Sequence, residues 1–516
     1  MILLSEKIII TIAVLATIIF IVTLKIKKLE KIKAKALFLI YINFIICLSI
    51  SYYLKFIFNP IHLCMGMWII FSLVNMIILK TLKLYDNKYS LYFIMSIIFV
   101  VQLGYISYTS YGTRQHDLRS FYNYENGGHL GYIGYIFNNN HLPIGSPKDF
   151  WCFYNPPLFY IVSAIFIKLQ NFFGIELESC LENLQILSLF YIMTFNIFVY
   201  KILKEMNIEK SIAFIISFIG LAPAMIMMSG SLGNGPLSIM LSTIAIYYTI
   251  KWYKSDTLKD LVIIAFAISF AIMTKIDAAL IAVAIGVTFI IKLGSNRKEV
   301  KKYIKYFSLF ALISLPIGLW YPIKNLVLYD IPITYVQSVE RDHEASTEKY
   351  SILDRFFTVE SKDTFDNVNV TMVGEKMDYN IFVTTIKSFI VDEEIQYENN
   401  KILDICVHLI FFLSLLLPII FILNVIYVIS NYKKINNPWI LFFMLIFLLE
   451  VLAYLRFCFE FPFVFTMNFR YIVPSLISFG VITGIASEYD KTLYLANKIS
   501  LSIFSLLSIG IFLILL

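Results

Sequence analysis

The chain has 516 residues, of which 59% are hydrophobic and 15% are charged. Soluble domains carry about 25% charged residues, so this composition excludes an ordinary soluble protein and indicates a polytopic helical membrane protein. The net charge of +7 does not indicate nucleic-acid binding, because the basic residues lie in short loops between apolar segments, where they set membrane orientation. The six cysteines are scattered without CxxC spacing, which indicates neither a disulfide framework nor a metal site.

The N-terminal part of the chain predicts four membrane-spanning segments. They cover residues 8–24, 36–54, 61–79 and 91–110, each near the roughly 20 apolar residues that cross a bilayer. The first segment has no following cleavage site, so we expect it to remain in the mature protein. Six lysines between Lys25 and Lys35 predict a cytoplasmic loop. Counting membrane crossings from that loop predicts that the long polar stretch after the fourth segment lies outside the cytoplasm.

Further apolar segments follow this polar stretch. They cover residues 156–173, 186–203, 212–232, 237–250, 261–274, 278–291, 307–323, 404–429, 439–457, 470–487 and 499–516. The loop 292–305 holds six basic residues and is predicted to be cytoplasmic. Between residues 325 and 400 there are fifteen acidic and six basic residues, which suits an external loop.

We therefore predict an all-α polytopic membrane protein, a bundle of about 13–15 transmembrane helices with two large extracytoplasmic loops. The predicted regions are the N-terminal helices 1–110, the first external loop 111–155, a transmembrane core 156–324, the second external loop 325–403 and the C-terminal helices 404–516. Seven apolar segments lie between the two loops, and they cannot all cross the membrane, because an odd number of crossings would place the loops on opposite sides. Either one of them fails to cross, or 261–291 is a single long helix or a broken pair around its TKID sequence.

The first external loop, 111–155, is the strongest candidate for a functional segment, because loops of this length in compact folds are usually functional. Asp117 lies just past the outer end of a span and is flanked by Arg114, His116 and Arg119. A carboxylate in such a position can act as a general base, and neighbouring cations keep it ionised. A solvated loop aspartate is the alternative interpretation of the same pattern.

Apolar residues recur at helical spacing over 129–138, which predicts a short amphipathic helix on the membrane surface. His116, His129 and His141 also lie in this loop, and with Asp117 they could form a zinc site. Their spacings match no common zinc pattern. We therefore expect no metal or other cofactor, although a divalent metal remains an alternative.

Other charged residues lie near or within apolar sequence. Lys275 and Asp277 are functional candidates on this ground, and their spacing disfavours a mutual ion pair unless the helix breaks between them. Arg456 and Glu460 have the spacing of a simple pair on one helix. The titratable cluster 340–344 is interpreted as a solvated loop.

An aspartate outside a span, the GHLGYIGYIF surface helix and the Pro-Pro-Leu start of the next segment together resemble the first external loop of GT-C glycosyltransferases. The resemblance is to the branch that includes protein O-mannosyltransferases and lipid A aminoarabinose transferases. Thr274–Lys275 and the MNFRYIVP run at 467–474 are similar as well. The resemblance implies a GT-C-like bundle, Asp117 as the catalytic residue and a sugar on a polyprenyl phosphate as the donor.

The implied reaction requires a base for the acceptor hydroxyl and a cation for the departing phosphate, and direct displacement would invert the anomeric carbon. The candidate substrate-binding residues are Arg114, His116, His129, Lys275, Arg470 and Tyr471. Arg470 is the candidate for the donor phosphate, with a snorkelling anchor as its alternative role. We expect an integral protein of a bacterial plasma membrane with an extracytoplasmic active site. The acceptor (protein, wall polymer or glycolipid) remains open.

Three positions depart from the pattern of these glycosyltransferases. His116–Asp117 stands where many carry an acidic pair, Asn155 stands where they have histidine before Pro-Pro, and Asn234–Gly235 stands where they often have Asn-Asp. A transporter or flippase, or a polymerase or ligase of lipid-linked glycans, is therefore kept as an alternative. The concentration of polar residues in an external loop, and not at the bilayer midplane, favours the enzyme.

Overall fold

The computed structural model describes residues 13–20, 23, 31–54, 59–84, 87–359, 365, 367–391 and 400–514. These residues form helices joined by loops and contain no β-strand, only one isolated bridge between Ser346 and Phe463. They divide into two compact units, one from residues 1–108 with 508–516 and the other from 109–507. The predicted first span, 8–24, lies largely outside the described residues.

The described part of the first unit contains a helical stretch at 13–20 and the end of the last helix of the chain. Its other helices are α1 (Lys31–Leu54), α2 (Pro60–Thr81) and α3 (Asn87–Tyr108). Asn59 caps α2 by accepting a hydrogen bond from the Ile61 backbone N–H at 2.9 Å, and Pro60 fits its first turn because that position needs no donor. Inside the unit, Asn43 Nδ2 donates to Asn75 Oδ1 at 3.0 Å. A buried amide pair of this kind links two helices in a bilayer.

The second unit contains sixteen further helices and most of α20. They are α4 (Gly128–Asn139), α5 (Leu158–Phe172), α6 (Leu177–Glu182), α7 (Leu184–Glu205), α8 (Ile212–Leu221), α9 (Pro223–Met228), α10 (Gly235–Ser255), α11 (Leu258–Ile272), α12 (Ala279–Ser295), α13 (Val300–Tyr329), α14 (Ile352–Phe357), α15 (Ile381–Ile390), α16 (Lys401–Ser430), α17 (Tyr432–Ile435), α18 (Trp439–Glu460), α19 (Ser475–Tyr489) and α20 (Lys491–Ile514).

Nine helical segments of the described residues are long and apolar enough to cross a membrane. They are Ile32–Ser51, Ile61–Thr81, Leu91–Tyr108, Leu177–Glu205, Ile276–Ser295, Arg297–Tyr329, Lys401–Ser430, Trp439–Glu460 and Lys491–Ile514. Three shorter apolar helices, α5, α8 and α15, accompany them. The predicted all-α polytopic membrane fold is therefore confirmed.

Two predicted segments have different bounds in the structure. The segment 212–232 is divided into α8 and α9 at Ala222, whose backbone is extended, because Pro223 cannot continue the hydrogen bonding of α8. The segment 470–487 becomes helical only at Ser475, and a short 3₁₀ turn occupies Phe469–Tyr471. This turn keeps Arg470 outside the regular helix.

Helix α10 is largely buried within the second unit. It packs between α7 and α11, and its polar side chains Ser238, Ser242, Thr243 and Thr249 are buried. A helix surrounded by protein does not need a uniformly apolar surface, since its neighbours satisfy the polar groups. For this reason α10 is less apolar than the helices that face lipid.

Two features of the structure bear on the uneven number of predicted crossings. The predicted pair around TKID is a broken pair, because α11 ends at Ile272 and α12 begins at Ala279 after a 3₁₀ turn. Helix α5 has 15 residues and is not among the nine segments that are long and apolar enough to cross. Tyr160 in its first turn bonds His129, and Lys168 near its end bonds Asn140.

The chain that follows α5 returns to the loop 111–155. Glu182, the last residue of α6, accepts a hydrogen bond from the Tyr111 backbone N–H at 3.0 Å. Both ends of α5 therefore lie against this loop, and we predict that α5 does not cross the membrane. The seven segments predicted to cross would then become six, an even number that is compatible with two external loops.

Single cysteines test this topology in a background with Cys64 and Cys406 changed to serine. Asn138→Cys and Glu176→Cys should both react with a membrane-impermeant thiol reagent in whole cells, because they lie before and after a helix that does not cross. Lys298→Cys should react only after permeabilisation. Labelling of Glu176→Cys only after permeabilisation, with Asn138→Cys labelled from outside, would show that α5 crosses.

Candidate active site

Loops and helix ends of the second unit enclose a cavity of about 150 Å³ that is open to solvent. All seven site residues predicted from the sequence line it: Arg114, His116, Asp117, His129, Lys275, Arg470 and Tyr471. The roles assigned to them remain predictions.

Helix ends form the wall of the cavity opposite the loop. Asn234, immediately before α10, donates to the Thr274 carbonyl at 3.1 Å and to Asn155 Oδ1 at 3.3 Å. The first backbone N–H of α5, from Leu158, donates to the Met273 carbonyl at 3.0 Å. The start of α5, the start of α10 and the end of α11 are thus joined through groups that would otherwise lack partners.

The loop that carries Asp117 is held to this wall by backbone contacts. The Asp117 carbonyl accepts from the His129 N–H at 2.8 Å, and the Leu118 carbonyl accepts from the Leu130 N–H at 3.0 Å. Gln115 donates to the Gly230 carbonyl and accepts from the Leu232 N–H, both at 2.8 Å. These bonds fix the loop against the start of α4 and the segment before α10.

Asp117 itself has a left-handed backbone with φ of 55°, as do Arg114 and Arg119 nearby. Non-glycine residues seldom adopt this conformation, and where they do it often marks a functional site. Gly127 and Gly128 provide the space for it, with φ of 70° and 79°. A Cβ at Gly128 would lie 2.6 Å from the Leu118 carbonyl oxygen and 2.8 Å from that of Asp117.

The Asp117 carboxylate is held by two neighbours on different sides. Its Oδ1 accepts a hydrogen bond from the indole N–H of Trp151 at 3.0 Å, and its Oδ2 lies 3.8 Å from the Arg470 guanidinium. Burial raises the pKa of Asp117, but Arg470, the histidines 129 and 116 and the Trp151 hydrogen bond outweigh burial and lower the pKa below its ordinary value. Asp117 is therefore ionised at neutral pH.

His129 lies behind Asp117 in the wall. Burial lowers the pKa of His129 to about 4, against the opposite effect of the Asp117 charge, so its ring is neutral at pH 7. Arg470 is consequently the main permanent cation acting on Asp117. The His129 Nδ1 is 2.9 Å from the Tyr160 hydroxyl, which orients the ring toward the cavity.

Two cations share the ring of Tyr471. The Arg470 guanidinium lies 5.0 Å and the Lys275 ammonium 5.1 Å from the ring centroid, and Arg470 also donates to the Tyr471 hydroxyl at 2.9 Å. Lys275 forms an ion pair with Asp277 at 3.0 Å. This pair, which the sequence allowed only if the helix breaks, forms because α11 ends before Lys275.

Arg470 is supported by Asn468 of its own turn and by Ser388 of the predicted second external loop. The Asn468 side chain accepts from the Arg470 N–H at 3.0 Å, and Ser388 Oγ accepts from the Phe469 N–H at 2.9 Å. Ser388 belongs to α15, whose Lys387 forms a buried ion pair with Asp378 at 2.8 Å. A buried pair holds a helix in register when its geometry is good, so α15 fixes the turn that presents Arg470.

Several residues of the site were not identified from the sequence. Trp151 positions the carboxylate, and the cavity is also lined by Cys152, Tyr154, Ser388 and Asn468. Asn468 lies in the MNFRYIVP run but was not singled out there, and the other four belong to no motif used in the sequence analysis. The two departures Asn155 and Asn234 do line the cavity, and they bond each other there.

Other candidates lie elsewhere. His141 is exposed, and its Nδ1 is 2.8 Å from the Leu142 carbonyl oxygen. Arg456 pairs with Glu460 at 3.2 Å on the exposed face of α18, as the spacing predicted. Within the described part of the chain, no group of three or more metal-ligating side chains comes together.

Residues 155–320 match the family model described as dolichyl-phosphate-mannose-protein mannosyltransferase. This segment is therefore similar to a membrane glycosyltransferase domain of the GT-C type, and the match confirms the predicted resemblance there. It includes Asn155, Asn234 and Lys275 of the cavity wall and leaves Asp117 and Arg470 outside its bounds. No curated protein matches the chain.

Gly128→Ala tests whether the close loop contact shapes the site. A Cβ there imposes strain of roughly 1–3 kcal/mol, so the loop should open more often and a thiol reagent should modify the buried Cys152 at least about tenfold faster. Gly112→Ala is the matched control, because a Cβ at Gly112 meets no atom within 4 Å. Equal labelling rates in the two variants would show that the loop does not depend on this contact.

Proposed function

We propose, from the glycosyltransferase domain in residues 155–320 and the cavity beside it, that the protein transfers a sugar from a polyprenyl phosphate to an acceptor hydroxyl at the extracytoplasmic membrane face. The observation that carries the proposal is the placement of an ionised Asp117 and two cations, Arg470 and Lys275, around one cavity. A base and a phosphate-stabilising cation are the two groups that this transfer requires.

Asp117 acts as the general base. The acceptor oxygen attacks the anomeric carbon while the bond from that carbon to the phosphate oxygen breaks, and the acceptor proton passes to Asp117. Trp151 occupies Oδ1, which leaves Oδ2, on the side of Arg470, as the oxygen that takes the proton. A single direct displacement inverts the anomeric configuration.

The donor phosphate binds beside Tyr471. Arg470 can offer two parallel N–H groups to phosphate oxygens, and Lys275 adds a point charge from the other cavity wall. As the sugar leaves, negative charge gathers on the bridging oxygen and these cations stabilise it. Because both positive charges come from side chains, we propose that no metal cofactor is required.

A cleft that continues from the cavity accommodates the first part of the polyprenyl chain. Its lining combines apolar and polar residues, with Ile239, Ile281, Val473 and Pro474 among the apolar ones and Ser238, Ser242, Asp277 and Glu450 among the polar ones. The cleft and the cavity meet at Lys275, Arg470 and Tyr471. A phosphate held there would have its sugar in the cavity and its lipid in the cleft.

Asp117→Asn tests the base in protein reconstituted in nanodiscs with a radiolabelled polyprenyl-phosphate hexose. Turnover should fall by at least about 10²-fold, because the amide keeps the shape but cannot accept the proton. Asp149→Asn is the matched control, since Asp149 is an exposed aspartate of the same loop. Full turnover in Asp117→Asn would show that Asp117 is not the general base. Movement of the donor across the bilayer without its cleavage would indicate the flippase alternative.

Two Arg470 variants separate charge from geometry. Arg470→Gln removes the cation that lowers the Asp117 pKa, so that pKa should rise and the acid limb of the rate profile should move to higher pH. Arg470→Lys keeps the charge, so the acid limb should stay while the donor KM rises at least about tenfold through loss of the paired hydrogen bonds.

The matched controls are Arg456→Lys and Arg456→Gln, on the exposed face of α18, which should change neither quantity. An unchanged donor KM in Arg470→Lys would assign Arg470 to anchoring.

A further inference from the structure

Two polar side chains converge on Gly233 in the wall of the cavity. A Cβ at Gly233 would lie 3.4 Å from His129 Nε2 and 3.6 Å from Ser231 Oγ. All three residues line the cavity, and each of them is partly exposed. Because Gly233 has no side chain, a ligand atom can approach both the imidazole nitrogen and the hydroxyl at this point.

Both polar groups are held in place by other parts of the fold. Ser231 lies between the two backbone groups that Gln115 bonds, and Ser188 of α7 donates to the Ser231 carbonyl. The His129 ring is stacked on the Tyr160 ring, with the centroids 5.8 Å apart, and its Nδ1 is hydrogen-bonded to the Tyr160 hydroxyl. The two groups therefore have fixed positions in the cavity wall.

The contact with Tyr160 determines which nitrogen of the neutral His129 ring carries the proton. Tyr160 is 0% exposed, and His129 is the only hydrogen-bond partner of its hydroxyl among the described residues. If Nδ1 carried the proton, the hydroxyl hydrogen would be buried without an acceptor, which is strongly unfavourable. The hydroxyl therefore donates to Nδ1, and Nε2 carries the proton, since a neutral imidazole has one donor and one acceptor.

The two groups that face Gly233 are available to a ligand. Within the described part of the chain, the hydrogen bonds of His129 and Ser231 use Nδ1 and backbone groups, and neither Nε2 nor Oγ is a buried atom. One is an N–H donor, and the other is a hydroxyl that can accept. A single hydroxyl group of a ligand can satisfy both, because it accepts one hydrogen bond and donates another.

We propose that the space over Gly233 binds a hydroxyl group of the sugar that is transferred, which accepts from His129 Nε2–H and donates to Ser231 Oγ. The assignment rests on the proposed function and identifies side chains that recognise the sugar of the donor. It gives His129, a substrate-binding candidate from the sequence, a defined partner. Tyr160 is a positioning residue, because it acts on the sugar only by fixing the proton on Nε2.

The surroundings favour a sugar hydroxyl over the donor phosphate. Arg470 and Lys275 lie where the cavity meets the cleft proposed for the lipid, whereas His129 and Ser231 line the cavity alone. Two neutral groups also supply no counter-charge for a phosphate oxygen, which binds most strongly to charged donors.

The attacking hydroxyl of the acceptor is a poorer fit to this position. In the proposed reaction it gives its only hydrogen to Asp117, so it has none to donate to Ser231. A hydrogen bond from His129 to its oxygen would also lower the nucleophilicity of that oxygen. A hydroxyl of the transferred sugar has neither conflict.

Binding of donor analogues tests the assignment without knowledge of the acceptor. Polyprenyl-phosphate glucose, galactose and mannose are titrated onto the protein in nanodiscs. Polyprenyl methyl phosphate is the reference probe, because it keeps the charge of the donor and lacks the sugar. We expect at least one lipid-linked hexose to bind the parent protein more tightly than the reference probe.

Gly233→Ala should weaken binding of that hexose at least about tenfold, since the added methyl group covers Nε2 and blocks both hydrogen bonds. Binding of polyprenyl methyl phosphate should not change. Gly233 does not have a left-handed backbone, so the alanine introduces no backbone strain. Gly112→Ala is the matched control, because a Cβ at Gly112 meets no atom within 4 Å, and it should change neither affinity.

Two further variants remove one partner each. His129→Phe keeps a ring beside Tyr160 without the N–H, and Ser231→Ala removes the hydroxyl. Each should weaken binding of the hexose by about three- to tenfold and leave the reference probe unaffected.

Nitrogen NMR of protein labelled with ¹⁵N-histidine tests the role of Tyr160. The signals of His129 are identified by their loss in His129→Phe. The parent protein should carry the proton on Nε2, and Tyr160→Phe should show a mixture of the two tautomers. A proton on Nδ1 in the parent protein would contradict the assignment, because Nε2 could not then donate to the sugar.

Three binding results would also overturn the assignment: equal affinity of the parent protein for the hexoses and the reference probe, an equal effect of Gly233→Ala on both, or no effect on either. Cleavage of the labelled donor is measured in parallel. If cleavage depends on Asp117, the proposed function stands even when the sugar assignment fails. Cleavage that does not depend on Asp117 would remove the proposed base, whatever the binding measurements show.

Discussion

The 3.8 Å approach of the Asp117 carboxylate to the Arg470 guanidinium is the contact on which the arrangement of the second unit depends. The two residues come from loops far apart in the sequence, and neither loop could place its charge alone. The first loop is fixed through the His129 N–H and the paired glycines 127 and 128. The second charge is fixed through Asn468 and through Ser388 of α15.

Charge balance explains how so many ionisable groups tolerate one cavity. Lys275 pairs with Asp277, Arg470 faces Asp117, and the buried Lys387 pairs with Asp378. A buried charge without a partner is very unfavourable, and each of these three cations has an acid beside it. Lys275 and Arg470 lie where regular helix is interrupted, after α11 and before Ser475.

The sequence was sufficient to predict the all-α membrane fold and to identify seven residues that line one cavity, because polar and charged residues stand out against apolar surroundings. It could not identify Trp151, Ser388 or Asn468, since each acts through one hydrogen bond whose partner is set by the fold. The contacts of α5 with the loop 111–155 could not be predicted either. An apolar helix that packs on a loop and one that crosses a bilayer have similar compositions, so the contacts of Tyr160 and Lys168 could be found only from the structure.

The position of Arg470 between the base and the proposed phosphate site has a consequence for timing. A phosphate that binds Arg470 offsets the positive charge that lowers the Asp117 pKa, and its own negative charge acts in the same direction. In the proposed reaction, the Asp117 carboxylate is thus a weak base when the donor site is empty and a stronger base when the donor is bound. Binding of the lipid-linked sugar would then activate the base, so that the acceptor loses its proton only when a sugar is present for transfer.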